Sequence, residues 1–257
     1  MSTGNNIEEQ LVGYSPIFLE EMGKAGLMSR RDSKYVFSLD ILPVLLEAVK
    51  ENYRVLEIEG GRCQLYRTTY YDTGKLDMYH LHHRGRASRH KVRFRNYASS
   101  GQTFLEVKHK NSKRITNKKR METDDGDMKI NGNEAGFLQE HIPYGPTELQ
   151  PALDNSFRRI TLVSPDQSER ITLDYGLDFS NRRRDGEEKL PGVAIAEIKY
   201  MGHLTSSPFH LALRKTRVYP KRISKYCVGM ALLNPDLKQN LFKNKLRSIV
   251  QINQKAI

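Results

Sequence analysis

The sequence predicts an α+β protein built around a closed antiparallel β-barrel of about eight strands, with helices packed around it and a helical C-terminus. Charged and apolar residues alternate at period two over Arg89–Arg95, Leu105–Lys110 and Ile195–Lys199, which is typical of β-strands. Ala98–Gln102 is a short Ser/Gly loop suited to an antiparallel hairpin between the first two of these strands. The apolar residues of Asn240–Ile252 recur at helical spacing.

Local patterns predict the elements of the first half of the chain. Ser38 or Asp40 can cap a helix whose apolar stripe begins at Leu42. β-Branched and aromatic residues predominate before Thr73-Gly74, where a turn is expected. In order, the predictions are a polar tail over residues 1–14, a short helix over Tyr14–Met28, a strand over Arg30–Phe37, a helix ending near Glu51, a strand over Tyr53–Asp72, and strands over Lys91–Tyr97 and Thr103–Lys110.

The second half alternates between clear and ambiguous segments. Asn111–Arg120 is predicted to be a basic loop, and residues 121–155 are the hardest to assign, with one short helix over Glu134–His141. Ser207-Pro208 supplies an N-cap and a first helical residue. The remaining predictions are strands over Ser156–Val163, Glu169–Tyr175 and Val193–Tyr200, a charged turn over Asn181–Lys189, and helices over Pro208–Lys215, Ser224–Leu233 and Asn240–Ile252. We expect residues 15–257 to form one domain.

The charge balance points to anionic partners. The chain has 42 Lys and Arg against 30 Asp and Glu, a formal charge of +12, which favours nucleic acid, phosphorylated metabolites, inorganic phosphate polymers or an acidic membrane surface without choosing among them. Cys63 and Cys227 lack the spacing of a zinc site or a disulfide framework. Neither a signal peptide nor about 18 consecutive apolar residues is visible. The expected location is therefore cytoplasmic, and a membrane-bound partner stays open.

Basic residues recur on the charged faces of the predicted strands. Taken singly, each face is better explained as solvated, but the repetition favours a common lumen lined with positive charge and a few carboxylates. Such a lumen needs an anionic ligand, because like charges in a partly desolvated cavity repel. Phosphates suit Arg and Lys, while carboxylates can hold a divalent cation. The residues concerned are Arg30, Asp32, Lys34, Arg93, Arg95, Glu106, Lys108, Arg159, Arg170, Asp174, Glu197 and Lys199.

Eight short motifs, in order along the chain, resemble the VTC domain. This is the polyphosphate-polymerase branch of the triphosphate tunnel metalloenzymes, which are related to the CYTH phosphohydrolases. The resemblance extends from about residue 15 to residue 250. The motifs are Leu27–Tyr35, Thr69–Thr73, Arg89–Arg95, Phe104–Lys110, Phe157–Arg159, Glu169–Asp174, Ile195–Lys199 and Ile223–Tyr226.

The resemblance implies a triphosphate tunnel fold and an ATP-polyphosphate phosphotransferase. Its expected ligands are ATP, polyphosphate, and pyrophosphate or triphosphate, with Mn²⁺ or Mg²⁺ as the cofactor. The expected catalytic residues are Lys34, Arg93, Arg95, Lys108 and Lys225. The expected phosphate-binding residues are Arg30, Lys118, Arg159, Arg170, Lys199 and Ser224, with Lys119 replacing Lys118 if the register differs by one residue. Glu197 and Glu106 are the expected metal ligands.

Two departures from the family pattern keep other functions open. Asp32 stands where the family usually has Glu, and Phe157 where it often has Tyr. One alternative is a triphosphate or nucleoside triphosphate phosphohydrolase. Another is a non-catalytic module that binds polyphosphate. Nucleic-acid binding rests on charge alone and ranks below these. Ser224 can equally be a helix cap.

Overall fold

The computed structural model describes residues 3–26, 31–113, 115–123 and 128–255. Within them the strands are β1 (Pro16–Ile17), β2 (Arg31–Ser38), β3 (Arg54–Leu56), β4 (Gln64–Thr73), β5 (Arg89–Tyr97), β6 (Thr103–Lys110), β7 (Thr116–Thr123), β8 (Leu149–Val163), β9 (Glu169–Asn181), β10 (Glu187–Leu190) and β11 (Val193–Tyr200). The α-helices are α1 (Thr3–Val12), α2 (Leu42–Val49), α3 (Asp77–His83), α4 (Gly132–His141), α5 (Pro208–Lys215), α6 (Lys225–Leu233) and α7 (Lys243–Lys255).

Eight strands form one continuous antiparallel sheet in the order β2-β11-β9-β8-β4-β5-β6-β7. This confirms the predicted fold class and strand number. The end strands β2 and β7 form no ladder with each other within the described residues, so hydrogen bonds do not close the barrel. The chain before α6 lies against β2 instead, where the Lys221 backbone N–H donates to the Lys34 carbonyl at 2.7 Å.

Helices cover the sheet with three main apolar clusters. The first joins α1, α2 and α5 to β2, β8, β9 and β11, with Leu45 and Phe209 at its centre. The second joins α6 and α7 to β4, β8 and β9 and includes Tyr70, Leu153 and Phe179. The third covers β5 and β6 with α4. No helix in the described part of the chain is long and apolar enough to cross a membrane.

Several predicted elements differ in the structure. Asn111–Arg120 is not a loop throughout, because β7 starts at Thr116 and pairs with β6 from Lys110↔Thr116 to Thr103↔Thr123. The predicted helix over Tyr14–Met28 is instead β1 followed by a 3₁₀ helix over Leu19–Gly26, and Leu27 and Met28 lie outside the described residues. β1 is extended because it pairs with β3.

Other differences concern element boundaries. The predicted N-terminal tail contains α1, whose Ile7 and Leu11 are buried in the first cluster. The long predicted strand before Thr73 divides into β3 and β4, separated by a turn in which Gly60 has a φ of 75°. β8 begins at Leu149, inside the segment that was hardest to assign, and the charged turn ends in β10. Predicted strands and helices after Val193 agree with β11, α5, α6 and α7.

Candidate functional site

The strand register places the predicted charges on one face of the sheet. Cross-strand partners are Lys34↔Glu197, Arg93↔Glu106, Lys91↔Lys108 and Arg159↔Asp174. Because alternate residues of a strand share a face, the charged residues two positions away lie on the same face. We call this the inner face, and its charged residues within the described part of the chain include Asp32, Lys34, Lys91, Arg93, Arg95, Glu106, Lys108, Lys118, Arg159, Arg170, Asp174, Glu197 and Lys199.

The sheet curls so that distant strands face each other across this interior. Lys108 lies on β6 and Glu197 on β11, with four strands between them in the sheet order. The charges nevertheless interact: Arg93 and burial lower the pKa of Lys108 well below its usual value, whereas Glu197 opposes the shift. The inner face is therefore the wall of a charged hollow.

Asp174 joins two cations from different elements. Its carboxylate accepts from Arg159 Nε at 2.6 Å and Nη2 at 2.8 Å, and it also pairs with Lys225 at the start of α6. Burial alone would raise the pKa of Asp174, but Arg159 and Lys225 outweigh it and lower that pKa to about 2. Asp174 stays ionised and holds both cations at the hollow.

Glu106, on the opposite side of the hollow, likewise pairs with two cations. Its side chain is fully buried and accepts from Arg93 Nε at 2.7 Å, while its other oxygen pairs with Lys118. Burial opposes ionisation, but Arg93, Arg95 and Lys118 lower the pKa of Glu106. The structure places Lys118 rather than Lys119 on this face, because Lys118 lies opposite Lys108 in the register and Lys119 points to the other side.

Glu197 forms the third shared carboxylate. It pairs with Lys34, and its second oxygen lies 3.8 Å from Lys199 Nζ. Asp32 also contacts Lys34, with Oδ2 2.6 Å from Nζ. Burial opposes the Lys34 charge, but Glu197 and Asp32 raise its pKa. The pKa of Glu197 is lowered, because the surrounding lysines outweigh its desolvation.

The N-terminus of α6 contributes Ser224 and Lys225. Ser224 caps the helix by accepting from the Cys227 backbone N–H at 3.4 Å, and its hydroxyl also accepts from Lys91 Nζ at 3.0 Å. Burial lowers the pKa of both Lys91 and Lys225 to about 8. In Lys225 burial outweighs the opposing effect of Asp174. Ser224 is therefore a cap that also touches the charged wall.

Two buried contacts hold α6 in place. A Cβ on Gly229 would lie 2.5 Å from Phe179 Cδ1 and 2.7 Å from Leu153 Cδ2, so only glycine allows this approach of helix to sheet. The Tyr226 hydroxyl donates to Asp72 Oδ2 at 2.5 Å. Asp72 also accepts from the backbone N–H groups of Met78 and Tyr79, which anchors α3 to the same point.

Two stacked aromatic rings lie against the cations, and we call this pair the aromatic floor. Tyr66 and Phe157 stack with ring centroids 5.4 Å apart and an interplanar angle of 9°. Lys225 Nζ, Arg159 Cζ and Arg95 Cζ lie 4.2, 5.2 and 5.9 Å from the centre of the Phe157 ring. Aromatic faces attract cations, so the floor partly compensates the repulsion among them.

Positive charge remains in excess on this face. Lys108 and Arg95 make no hydrogen bond or ion pair with any described residue. Burial, then Arg93, lowers the pKa of Arg95, which shows that its charge is poorly compensated. Paired side chains such as Arg93, Arg159 and Lys225 keep an exposed fraction of 13 to 15%. A multiply charged anion would complement these accessible cations.

The inner face and the N-terminus of α6 bring together all but one of the predicted site residues. Arg30 lies outside the described residues. Arg170 lies opposite Lys199 in the register and has polar contacts. The sequence prediction missed the contacts of Asp174, Lys91 and Tyr66. Asp174 had been assigned to a charged face, but only the position of α6 makes it the partner of Lys225.

The carboxylates differ in their suitability for a divalent cation. No cluster of three or more His, Cys, Asp or Glu side chains with metal-binding geometry occurs in the described ranges. Both oxygens of Glu106 are engaged by Arg93 and Lys118, so this residue does not fit a metal. Glu197 Oε1 and Asp32 Oδ2 converge on Lys34, whereas Glu197 Oε2 makes no hydrogen bond with a described residue and lies 3.8 Å from Lys199 Nζ. This pair of carboxylates fits Mg²⁺, which takes its other oxygens from water and from a phosphate ligand.

Two solved structures share the fold of this chain. A protein described as a candidate adenylate cyclase from Bacillus halodurans has a TM-score of 0.51 at 14% identity, with 77% of this chain and 96% of that chain covered. A candidate adenylyl cyclase from Hippeastrum, described as having a dominant triphosphatase activity, has a TM-score of 0.51 at 13% identity, with coverages of 80% and 97%. These likenesses show the fold alone.

The family follows from the sequence. A model of the VTC domain matches residues 29–234, which is well over half of the chain. The chain therefore belongs to the VTC domain family. Among curated proteins, no sequence matches significantly.

Proposed function

We propose that this protein is a metal-dependent polyphosphate polymerase that transfers the terminal phosphoryl group of ATP to a growing inorganic polyphosphate chain. The observation that carries the proposal is the convergence of cations from β2, β5, β6, β7, β8, β9, β11 and α6 on one hollow, in a chain of the VTC domain family. Phosphoryl transfer requires mainly positioning and charge neutralisation, which such a wall supplies.

The proposed roles follow from the contacts. Arg93, Arg159 and Lys225 are held by carboxylates in fixed orientations, so they bind phosphate oxygens with little reorganisation. Lys108 and Arg95, which have no carboxylate of their own, contribute uncompensated charge.

The remaining proposed roles are extension of the phosphate path, contact with substrate, and metal binding. Lys34, Lys118, Lys199 and Arg170 extend the phosphate path, and Ser224 contacts substrate from the start of α6. Glu197, with Asp32, would hold the divalent cation. When bound, the cation would neutralise charge on the phosphate oxygens.

The reaction balances without a water molecule. An oxygen of the terminal phosphate of the acceptor chain attacks the γ-phosphorus of ATP, the bond from that phosphorus to the β-γ bridging oxygen breaks, and ADP leaves with the electron pair. The protein keeps donor and acceptor in line and neutralises charge on the transferred group. We assign contact with that group to Arg93 and Lys108, which lie on the inner face of the neighbouring strands β5 and β6.

Hydrolysis of triphosphate or a nucleoside triphosphate is the second candidate. The same wall would serve it, with water in the acceptor position, and the Hippeastrum protein of the same fold is described as a triphosphatase. A non-catalytic polyphosphate-binding module is the third, because Asp32 and Phe157 depart from the family pattern.

Product sizing distinguishes these functions. Purified protein is incubated with ATP and Mn²⁺ or Mg²⁺, and the products are separated by chain length. Phosphate polymers support the polymerase, free phosphate alone supports the hydrolase, and metal-dependent binding without turnover supports the third candidate.

Two matched variants test the assigned face. Lys108→Met removes an inward cation without leaving a carboxylate unpaired, and should lower turnover at least about tenfold. Lys119→Met, on the outward side of β7, should leave turnover unchanged. Equal activity of both variants would contradict the assignment.

A further inference from the structure

Three neighbouring side chains on the inner face each have a buried polar atom without a hydrogen-bond partner among the described residues. Arg95 of β5, Thr68 of β4 and Asn155 of β8 are successive cross-strand neighbours. Their exposed fractions are 7%, 2% and 2%. Arg95 Nε, Thr68 Oγ1 and Asn155 Oδ1 make no hydrogen bond with any described residue. Buried polar atoms are nearly always paired in folded proteins, so three adjacent exceptions mark a place for a polar ligand.

The orientation of the Asn155 amide is determined by its neighbours. Asn155 Nδ2 donates to the carbonyl of Asp178 at 2.9 Å and to that of Ser156 at 3.2 Å. The unpartnered atom is therefore the acceptor Oδ1, which requires a hydrogen-bond donor from the ligand.

Arg95 sets the charge of that ligand. It is a cation with no ion pair to a described residue, and Arg93 and Arg159 are nearby cations. Arginine only donates hydrogen bonds, whereas the Thr68 hydroxyl can donate or accept. The row therefore complements an anion that accepts from Arg95 and also carries one proton to donate to Asn155.

On two of its strands the polar row borders apolar side chains. The next residues on the same face are Leu153 on β8 and Tyr70 on β4. Both belong to the apolar cluster under α6, and the Tyr70 ring lies 5.2 Å from that of Tyr226. On β5 the cations continue past the row, because Arg93 lies opposite Tyr70 and Lys91 follows on the same face. The row therefore lies within the charged path, and what distinguishes it is the unpartnered acceptor of Asn155.

We infer that Arg95, Thr68 and Asn155 form a chain-end subsite that binds the terminal phosphate of a linear polyphosphate or triphosphate. This inference rests on the proposed function. A phosphate monoester-type group has a second pKa of about 6, so a terminal phosphate carries a proton part of the time near neutrality. Internal phosphates of the chain carry none. The terminal P–OH donates to Asn155 Oδ1, the ionised oxygens accept from Arg95, and Thr68 bridges them.

Calorimetric titration with tripolyphosphate and with its diester, in which both terminal phosphates carry a methyl group, tests the subsite. Thr68→Val keeps the shape of the side chain and removes the hydroxyl. We expect it to weaken tripolyphosphate binding by about 5- to 30-fold, and to change diester binding little. The control is Thr161→Val, the same change on the inner face of β8 opposite Thr172, which should alter neither affinity.

Thermal unfolding without ligand provides an independent readout. Replacing a buried, unpartnered hydroxyl by a methyl group should raise the Tm of Thr68→Val by about 2–4 °C. A Thr68 with a structural hydrogen-bonding role would instead lower it, which would count against the subsite.

The outcomes separate the two proposals. If the unaltered protein binds neither ligand, the proposed function fails and the subsite with it. If it binds tripolyphosphate but Thr68→Val binds equally well, the subsite is wrong while the proposed function stands. An equal loss for both ligands overturns recognition of the chain end.

Discussion

Arg159 and Asp174 face each other across β8 and β9 and form a two-point ion pair, with Nε–Oδ1 2.6 Å and Nη2–Oδ2 2.8 Å. Lys225 of α6 shares the same carboxylate. One buried acid thus connects the sheet to the helix that bounds the hollow. Such acids keep the cations ordered in the free protein, and under the proposed function phosphate competes with them.

Removal of the Asp174 charge should therefore destabilise the free protein. Asp174→Asn leaves two buried cations uncompensated, which costs about 3–5 kcal/mol. Tripolyphosphate should recover most of the lost stability, because its oxygens replace the carboxylate. Thermal unfolding with and without tripolyphosphate measures both effects. A variant as stable as the parent without ligand, or one that tripolyphosphate fails to rescue, would contradict this role.

The lysines at the start of α6 should make phosphate binding pH-dependent. The pKa of Lys91 and of Lys225 is about 8 in the folded protein, against an ordinary value of 10.5. Both lose charge as pH rises through 8, so tripolyphosphate affinity should fall between pH 7.5 and pH 9. Calorimetric titration over this range measures it, with Lys225→Arg as a non-titrating control whose pH dependence should be shallower.

The same two lysines have an opposite effect on stability. Between about pH 8 and pH 10.5 the unfolded chain binds more protons at these positions than the folded chain. Their contribution to the free energy of unfolding therefore rises with pH across that window. Denaturant unfolding without ligand at pH 8 and pH 10 gives the sign, and Lys225→Arg should show a smaller increase. A decrease that Lys225→Arg leaves unchanged would argue against uncompensated charge at these sites.

Close contact at Gly229 should be required for the position of Lys225. Gly229→Ala forces Phe179 or Leu153 to move, at a cost of about 1–3 kcal/mol, and shifts α6 away from Asp174. Stability and turnover should both fall. Gly136→Ala in α4 is the matched control, since a Cβ there meets nothing within 4 Å and should stabilise by about 0.4–1 kcal/mol. If both variants behave alike in thermal unfolding, the close approach is unimportant.

Glu197 and Glu106 should respond differently to amide substitution. Glu197→Gln should raise the metal concentration for half-maximal activity by at least about tenfold, because it removes a proposed oxygen ligand. Glu106→Gln should instead lower the stability of the free protein by about 3–5 kcal/mol and leave the metal dependence unchanged. Activity titrated with Mn²⁺ and Mg²⁺, together with thermal unfolding, separates the two. A metal shift in Glu106→Gln would reverse the assignment.

Strands with clear alternation were predictable from the sequence, and those without it were not. β5, β6 and β11 alternate at period two and were predicted close to their observed positions. β7 begins with five consecutive polar residues from Thr116 to Arg120, so its pattern indicates a loop. It becomes a strand because it pairs along β6, and its lysines suit the edge of a sheet.

The candidate site was predictable as a set of residues and not as a set of contacts. Period-two spacing is a local property, so the sequence alone determined that Arg93 and Arg95, or Glu197 and Lys199, share a face. Only the tertiary structure decided that Glu106 neutralises Lys118, that Asp174 holds Lys225, and that Arg95, Thr68 and Asn155 lie side by side without partners. Those relationships depend on strand register, sheet curvature and the docking of α6, which bring together residues far apart in the chain.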